Sequence, residues 1–329
     1  MKRQIFSTGE TVFDIIFQNN RPKNGNPGGS VLNSAVSLGR LGLKPVFLSD
    51  FCDDIIGGVI KDFLADSGVL SKRVISDCNK QTSIALAFLD ENKNAKYEFY
   101  KQKPTEADEK LFSADFKKDD VLLFGSFYGI MPEIRSGIKN LLTQAKNSGS
   151  IIVYDPNFRR PHLKDLPKVF PYIVENLQFA DIVKGSDEDF ALIFSSDNDQ
   201  KTFNELEKIN PDGHFFLTKG KDGCAYYYKG EVLNFNVPEI TPISTVGAGD
   251  NFNAGIVYGI VKHRITKTVL SNRIDKTVIT DIVETCVKFS QKVCMSEENY
   301  ISKEFAKGFI LPASKRVLPS LLSEFSGQI

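Results

Sequence analysis

Ser244-Thr245-Val246-Gly247-Ala248-Gly249-Asp250-Asn251-Phe252-Asn253-Ala254-Gly255 is the stretch on which the reading of this chain turns. Two glycines and an alanine precede an acid, and small and apolar residues follow at helical spacing. A Gly-rich turn that opens a helix leaves its first N–H groups unpaired, and the helix dipole puts its positive end there, so such a turn suits an anion. Asp250, in the first turn, stands beside that anion and can take a proton from an attacking hydroxyl. An anion cradle with an adjacent carboxylate fits phosphoryl transfer to an alcohol. The same residues also fit an ordinary loop-to-helix turn with a capping acid, and the rest of the chain decides between the two.

Outward from this stretch, strands and helices alternate. Gln4 to Thr8, Pro45 to Ser49, Val121 to Phe124, Ile151 to Tyr154, Ala180 to Lys184 and His214 to Thr218 read as strands. Between or after them, helical patterns cover Val31 to Leu41 (stopped by Gly42), Asp53 to about Ala65, Glu133 to Asn147, Leu166 to Gln178, Asn251 to Lys262, Thr277 to Cys294 and Lys315 to Phe325. This order predicts an α/β fold with a mostly parallel sheet. Polar runs follow several strands: Asp155-Pro156-Asn157-Phe158-Arg159-Arg160, Ser186-Asp187-Glu188-Asp189 and Lys219-Gly220-Lys221-Asp222-Gly223. Open α/β sheets bind ligands at such strand ends. The acids at 187–189 also suit plain N-capping, with water-mediated contact to Mg²⁺ as the functional alternative.

Two regions depart from the alternation. Val12 to Phe17 has strand character interrupted by Asp14, which is either an edge charge facing water or a ligand contact, and Gln18 to Asn26 reads as a polar loop or tip. Thr82 to Leu89 and Ala95 to Lys101 read as an antiparallel hairpin about the turn Asp90–Asn94. Such a hairpin inside a βα series is a candidate lid or dimer surface, and lids exclude water from phosphoryl-transfer sites. A second hairpin, Cys224 to Tyr228 and Glu231 to Val237, leads into the Gly-rich stretch.

Composition removes several classes. The 329 residues are 41% hydrophobic, with 41 basic and 41 acidic side chains, so there is no electrostatic footprint for nucleic acid or an anionic membrane. No apolar run approaches the ~18–20 residues that span a bilayer, and Met1-Lys2-Arg3 runs into a short strand with no signal-peptide core. Five cysteines (Cys52, Cys78, Cys224, Cys286, Cys294) lack CxxC spacing and read as reduced thiols of a cytoplasmic protein. His162, His214 and His263 show no metal spacing and read as surface or capping residues. There is no GxxxxGK[ST], no third glycine to make GxGxxG, and no HExxH or GxSxG. With no linker or internal repeat, one domain over 1–329 is expected.

Taken together, the motifs resemble the ribokinase-like (PfkB) carbohydrate kinases. Gly28-Gly29 with Asn33, Asp53-Asp54 with Gly57, Asp155–Arg159, Thr218-Lys219-Gly220 with Gly223, and Gly247-Ala248-Gly249-Asp250 stand in that family's order and spacing. The resemblance implies a three-layer α/β/α fold with a small β-sheet lid, here strands from about 11–28 and 80–103, that in many members also forms the dimer interface. It implies ATP with Mg²⁺ and transfer of the γ-phosphoryl group to a sugar hydroxyl. By position, Asp250 is similar to the family's catalytic base and the amides of Gly247, Ala248 and Gly249 to its anion hole. Asp14, Gly28, Gly29, Asn33, Lys101 and Arg159 match its substrate side. Lys184, Ser186, Thr218, Gly220 and Gly223 match its nucleotide side, with Glu188 and Asp189 as indirect Mg²⁺ contacts.

The chain departs from the family pattern at four places. Ser244 replaces the usual acid of a loop that holds a monovalent cation in many members, which puts K⁺ activation in doubt. Asp189 replaces a glutamate, Cys52 a glycine, and Lys101 an arginine often seen at the lid tip. A lysine lacks the planar fork that grips phosphate or carboxylate in two places, which favours a neutral acceptor. The expectation is a fructokinase-like enzyme acting on fructose. Ribose, 2-keto-3-deoxygluconate, a nucleoside, or a non-catalytic regulatory protein on the same scaffold are the alternatives.

Overall fold

A computed structural model describes residues 3–49, 51–73, 81–89, 95–100, 112–196 and 198–312. Lys101, the turn Asp90–Asn94 and the helix expected over Lys315–Phe325 lie outside these residues.

The chain runs β1 (Ile5–Thr8), β2 (Val12–Gln18), β3 (Arg21–Gly28), α1 (Ser30–Arg40), β4 (Val46–Leu48), α2 (Ile55–Asp66), β5 (Leu70–Arg73), β6 (Ile84–Leu89) and β7 (Ala95–Tyr100). It continues with β8 (Val121–Gly125), α3 (Arg135–Asn147), β9 (Ile151–Asp155), α4 (Leu166–Phe179), β10 (Ile182–Ser186), α5 (Asp187–Phe194), α6 (Asp199–Ile209) and β11 (His214–Thr218). Then follow β12 (Cys224–Tyr228), β13 (Glu231–Phe235), α7 (Ala248–Lys262), α8 (Lys267–Leu270), α9 (Lys276–Cys294) and α10 (Lys303–Lys307).

Nine strands form one sheet in the order β13-β12-β11-β10-β9-β8-β1-β4-β5. Pairing is parallel from β5 through β11 and antiparallel only where β12 and β13 are added. The strands have apolar residues on both faces because both are covered. Ile5, Val121, Leu123, Ile151, Val153, Ile182 and Phe216 pack under α1, α2, α7 and α9. Their neighbours Phe6, Leu122, Phe124, Ile152, Tyr154, Val183 and Phe215 pack under α3 to α6. One helix layer on each face gives the expected α/β/α sandwich. The strand order turns back on itself at β1 and β8, and at such a switch point the carboxyl ends of neighbouring strands part to leave a crevice.

Beside this sheet stands a smaller one in the order β3-β2-β6-β7. The expected hairpin is present, with β6 antiparallel to β7. The segment Gln18 to Asn26, expected to be a loop, instead forms most of β3, antiparallel to β2. Its sequence Arg-Pro-Lys-Asn-Gly-Asn-Pro-Gly has no apolar alternation because β3 is an edge strand exposed along most of its length. Pro22 and Pro27 are tolerated there because an edge strand has one row of N–H groups without a ladder partner. Asp14 is accordingly not an edge charge, since β2 has a strand on either side.

His214 corrects a second expectation: it is fully buried. Its ring lies between the Tyr226 hydroxyl at 2.6 Å and the Leu270 carbonyl at 2.9 Å and stacks on Tyr228. Burial pushes its pKa down to about 4, so it is a neutral core residue. His263 follows the end of α7 as expected and meets Asp281 at 2.6 Å, while His162 stacks on Phe127.

Candidate active site

At the crevice a cleft of about 440 Å³ opens between the two sheets. Asp14 and Phe99 come to it from the small sheet; Gly29, Ser30 and Asn33 from the start of α1; Asn157 and Arg159 from the end of β9; and Thr245, Val246, Gly247, Gly249 and Asp250 from the start of α7. Asn299 completes the lining.

The turn before α7 is held by its own backbone and by one asparagine. Gly247 caps the helix with φ of 82°, a left-handed conformation natural to glycine, and no side chain caps the helix end. A Cβ on Gly247 would lie 2.5 Å from the Asn299 carbonyl, so the two chain segments touch at that point. Asn251, buried, donates to the carbonyls of Gly247 (2.7 Å) and Asn299 (2.9 Å) and accepts from Ser37 at 2.6 Å. Of the three expected anion-hole amides, those of Gly247 and Gly249 belong to cleft-lining residues, whereas Ala248 lies behind them and its N–H bonds the Thr245 carbonyl at 3.3 Å. That is the geometry of a tight turn, in which one of three successive amides faces inward.

Asp250 sits at the bottom of the cleft and is 8% exposed. Its carboxylate accepts from Ser30 at 2.6 Å on Oδ1 and from Asn33 at 2.8 Å on Oδ2. Burial raises its pKa above the ordinary carboxylate value, opposed by the bonds from Asn33 and Ser30 and by the charge of Lys184. A carboxylate moved toward neutrality is a stronger base.

Beneath the turn lies a buried polar cluster. Lys184 on β10 pairs with Asp155 at the end of β9 at 3.0 Å, both almost fully buried, and Asn253 donates to the same Asp155 oxygen at 2.6 Å. A Cβ on Gly249 would come within 2.8 Å of the Lys184 Nζ. The ammonium therefore stands directly behind the Gly249 backbone, adding fixed positive charge to a helix N-terminus.

The remaining expected residues divide. Gly28 lies one residue from the cleft, and a Cβ there would lie 2.1 Å from the Asp14 carboxylate, so glycine is what lets Asp14 lie across the chain. Ser186 and Asp189 form a reciprocal capping box at the start of α5, while Glu188 is exposed. The other Asp189 oxygen, Oδ1, is buried without a hydrogen-bond partner, and burial together with the Asp155 charge raises that group's pKa. Thr218 pairs with Ser186 across the ladder between β10 and β11. None of Ser186, Thr218, Gly220 and Gly223 lines the cleft. Gly223 is required by packing, since a Cβ there would meet the Phe235 carbonyl at 2.1 Å, whereas Gly220 faces open space. Among the described residues no group of three or more His, Cys, Asp or Glu is placed to hold a metal ion.

The model of the pfkB family carbohydrate kinases matches residues 3–293. The chain belongs to the pfkB family of carbohydrate kinases. It is an ATP-dependent sugar kinase. Among curated proteins, this kinase is 27% identical to the fructokinase of Vibrio alginolyticus over 263 residues, 79% of this chain and 85% of that one. Among solved structures, it is similar to the fructokinase of Vibrio cholerae O395 in its fructose-, ADP- and calcium-bound form. There the TM-score is 0.79 at 20% identity, covering 94% of this chain and 99% of the other. It is also similar to the aminoimidazole riboside kinase of Salmonella enterica in complex with aminoimidazole riboside and an ATP analogue. That match has a TM-score of 0.77 at 17% identity and covers 94% and 100%. These structural likenesses speak to the fold of the kinase, and its acceptor is a matter for the site.

Proposed function

We propose that this kinase phosphorylates fructose, with Asp250 as the general base. The observation that carries the reading is the setting of Asp250: a buried carboxylate in the first turn of α7, held by Asn33 at 2.8 Å and lining the same cleft as Asp14. Asp14 and Asn33 suit the hydroxyls of a neutral sugar. As the acceptor oxygen attacks the γ-phosphorus, its proton passes to the Asp250 carboxylate. The new O–P bond forms while the bond to the β,γ-bridging oxygen breaks, and ADP leaves with that electron pair. The amides of Gly247 and Gly249, backed by the Lys184 ammonium, face the charge on the phosphoryl oxygens. Arg159, at the cleft wall, is a further positive group for the phosphates.

For Mg²⁺, the donor chemistry fits at one atom: Asp189 Oδ1 is a hard oxygen left without a partner, while Glu188, next in sequence, is exposed on another face of α5. Bound there through water, the ion would offset nucleotide phosphate charge. K⁺ is the weaker assignment, because Ser244 brings a hydroxyl that accepts from the Val246 N–H at 3.2 Å where the family's acid would bring charge. We also read the kinase as one cytoplasmic domain whose small sheet is the lid and pairs two copies. Ile15 and Phe17 of β2, with Phe17 stacked on Phe88 of β6, are partly buried apolar residues that support that reading. Light scattering on the purified protein distinguishes a dimer from a monomer.

The test of the reaction is ADP release over fructose, ribose, 2-keto-3-deoxygluconate and nucleosides, in K⁺ and in Na⁺. Fructose is expected to give the highest kcat/KM, and a higher kcat/KM with any other acceptor of the panel, or no stimulation of ADP release by fructose, overturns the fructose reading. A nucleoside is the second reading, favoured by one feature: Phe99 presents an aromatic wall to the cleft, on which a base can stack.

A further inference from the structure

Asp250 is gripped from α1, not from its own helix. Ser30, Asn33 and Ser34 share one face of α1 by their i, i+3, i+4 spacing. They donate respectively to Oδ1 of Asp250 (2.6 Å), to its Oδ2 (2.8 Å) and to its main-chain carbonyl (2.7 Å). Ser30 is the first residue of α1 and is separated from β3 by Gly29 alone. That link has little play: Gly29 has φ of 137°, and a Cβ on it would lie 2.1 Å from the Glu10 carbonyl. Ser30 also lines the cleft beside Asp250.

A serine hydroxyl carries one proton, and here it is committed to the carboxylate. Each carboxylate oxygen keeps a second lone pair. With Ser30 on one oxygen and Asn33 on the other, the carboxylate plane is fixed, and the remaining lone pairs have defined directions. We propose that Ser30 is the positioning residue of the base: its donated hydrogen bond orients Asp250 and keeps it an acceptor toward the incoming hydroxyl. The proposal rests on Asp250 being the base, and it adds a residue that acts through it. Ser30 and Asn33 both oppose the burial that favours the protonated acid. The charged groups that face Asp250 are Lys184 of β10, which favours the carboxylate, and Asp155 of β9, which disfavours it; Asp14 and Arg159 share the cleft.

The experiment is a pH–rate profile of kcat/KM for the acceptor in wild type, Ser30→Ala and Ser30→Thr, with Asp250→Asn as reference. Losing a hydrogen bond to a carboxylate moves its acid limb to higher pH. Ser30→Ala is therefore expected to lose up to about tenfold on the acid limb and no more than about threefold on the plateau above it, with KM for ATP unchanged. Ser30→Thr, which keeps the hydroxyl, restores the wild-type limb. If Ser30→Ala does not fold, Ser30→Cys, a weak donor of similar shape, is read the same way. A Ser30→Ala profile that superimposes on wild type, or a loss uniform across pH and equal in Ser30→Thr, overturns the proposal. If Asp250→Asn keeps wild-type turnover, the base assignment itself fails. An inactive Asp250→Asn beside an unmoved Ser30→Ala limb rejects only the role of Ser30.

Discussion

Two helix N-termini meet the ends of the central strands, and they are finished in opposite ways. At α5 the chain closes on itself: the Ser186 hydroxyl accepts from the Asp189 N–H, and the Asp189 carboxylate accepts from the Ser186 N–H. At α7 no side chain caps the end, Gly247 turns left-handed, and the acid of the first turn is bonded to a different helix altogether. Both termini carry acids in the first turn, which the helix dipole favours. The difference is what the acid does. Asp189 satisfies its own backbone, whereas Asp250 bonds to α1, so no side chain caps α7 and the backbone of Gly249 stays open to the cleft. A site needs donors that the fold has not already used, and here that means leaving a helix uncapped.

The largest expected effect breaks the open terminus at its acid. Asp250→Asn keeps the size and most of the hydrogen bonds but cannot take a proton. Turnover should fall at least ~10²-fold with ATP binding retained, measured by ADP release and by nucleotide titration. Next is Gly249→Ala. The added methyl would meet the Lys184 ammonium, which is held in place by Asp155 and can yield only by loosening that pair. A drop of about tenfold in kcat is expected, since disturbing a preorganised charge site acts on the transition state, together with a lower Tm from the loosened buried pair. Wild-type kcat in Gly249→Ala would show that the charge behind the turn is not coupled to the reaction.

The same contrast explains what was legible in the sequence. The βα order fixed the main sheet because buried parallel strands are apolar on both faces, as in Val121–Phe124 and Ile151–Tyr154. The Gly-Ala-Gly-Asp run by itself fitted an ordinary turn as well as a site, and only its place among the other motifs favoured the site. Strand β3 was not legible, since its pairing comes from ladder bonds to β2 and its side chains face solvent. Nor were Thr218, Gly220 and Gly223 informative one by one: Gly223 answers to the Phe235 carbonyl, a contact distant in sequence. Ser30 and Asn251 were missed for a different reason. Each is a polar residue in a helix that is otherwise largely apolar: Ser30 shares a face of α1 with Asn33 and Ser34, and Asn251 is buried in α7. That pattern is a usable signal, because buried polar groups must find partners. What it cannot supply is the partner, here 220 residues away for Ser30 and Asp250.

The closed terminus gives a smaller prediction. Ser186→Ala removes one half of the capping box and should lower stability by about 1 kcal/mol, seen as a reduced midpoint in urea. KM for ATP should change less than about twofold. A large rise in KM would return Ser186 to the nucleotide side and erase the contrast between the two helix ends.

The smallest effect sharpens the comparison most, because it separates activity from stability at one residue. Burial raises the Asp250 pKa in the folded state above its unfolded value. The folded protein then holds that proton more tightly than the unfolded chain does. Its contribution to stability is full below the unfolded pKa, near 3.9, and is lost as pH rises through the folded value. Above the folded value the ionised carboxylate is thus a cost to stability, one that a base at this position would carry. Asp250→Asn has no charge to lose, so its stability relative to wild type should rise as pH climbs from the unfolded value, about 3.9, through the raised folded value, followed as the difference in Tm between pH 4 and pH 8. Its turnover should stay low throughout. A Tm difference flat across that range would mean that Ser30, Asn33 and Lys184 fully offset the cost of burial, and that the open terminus is no less stable than the closed one.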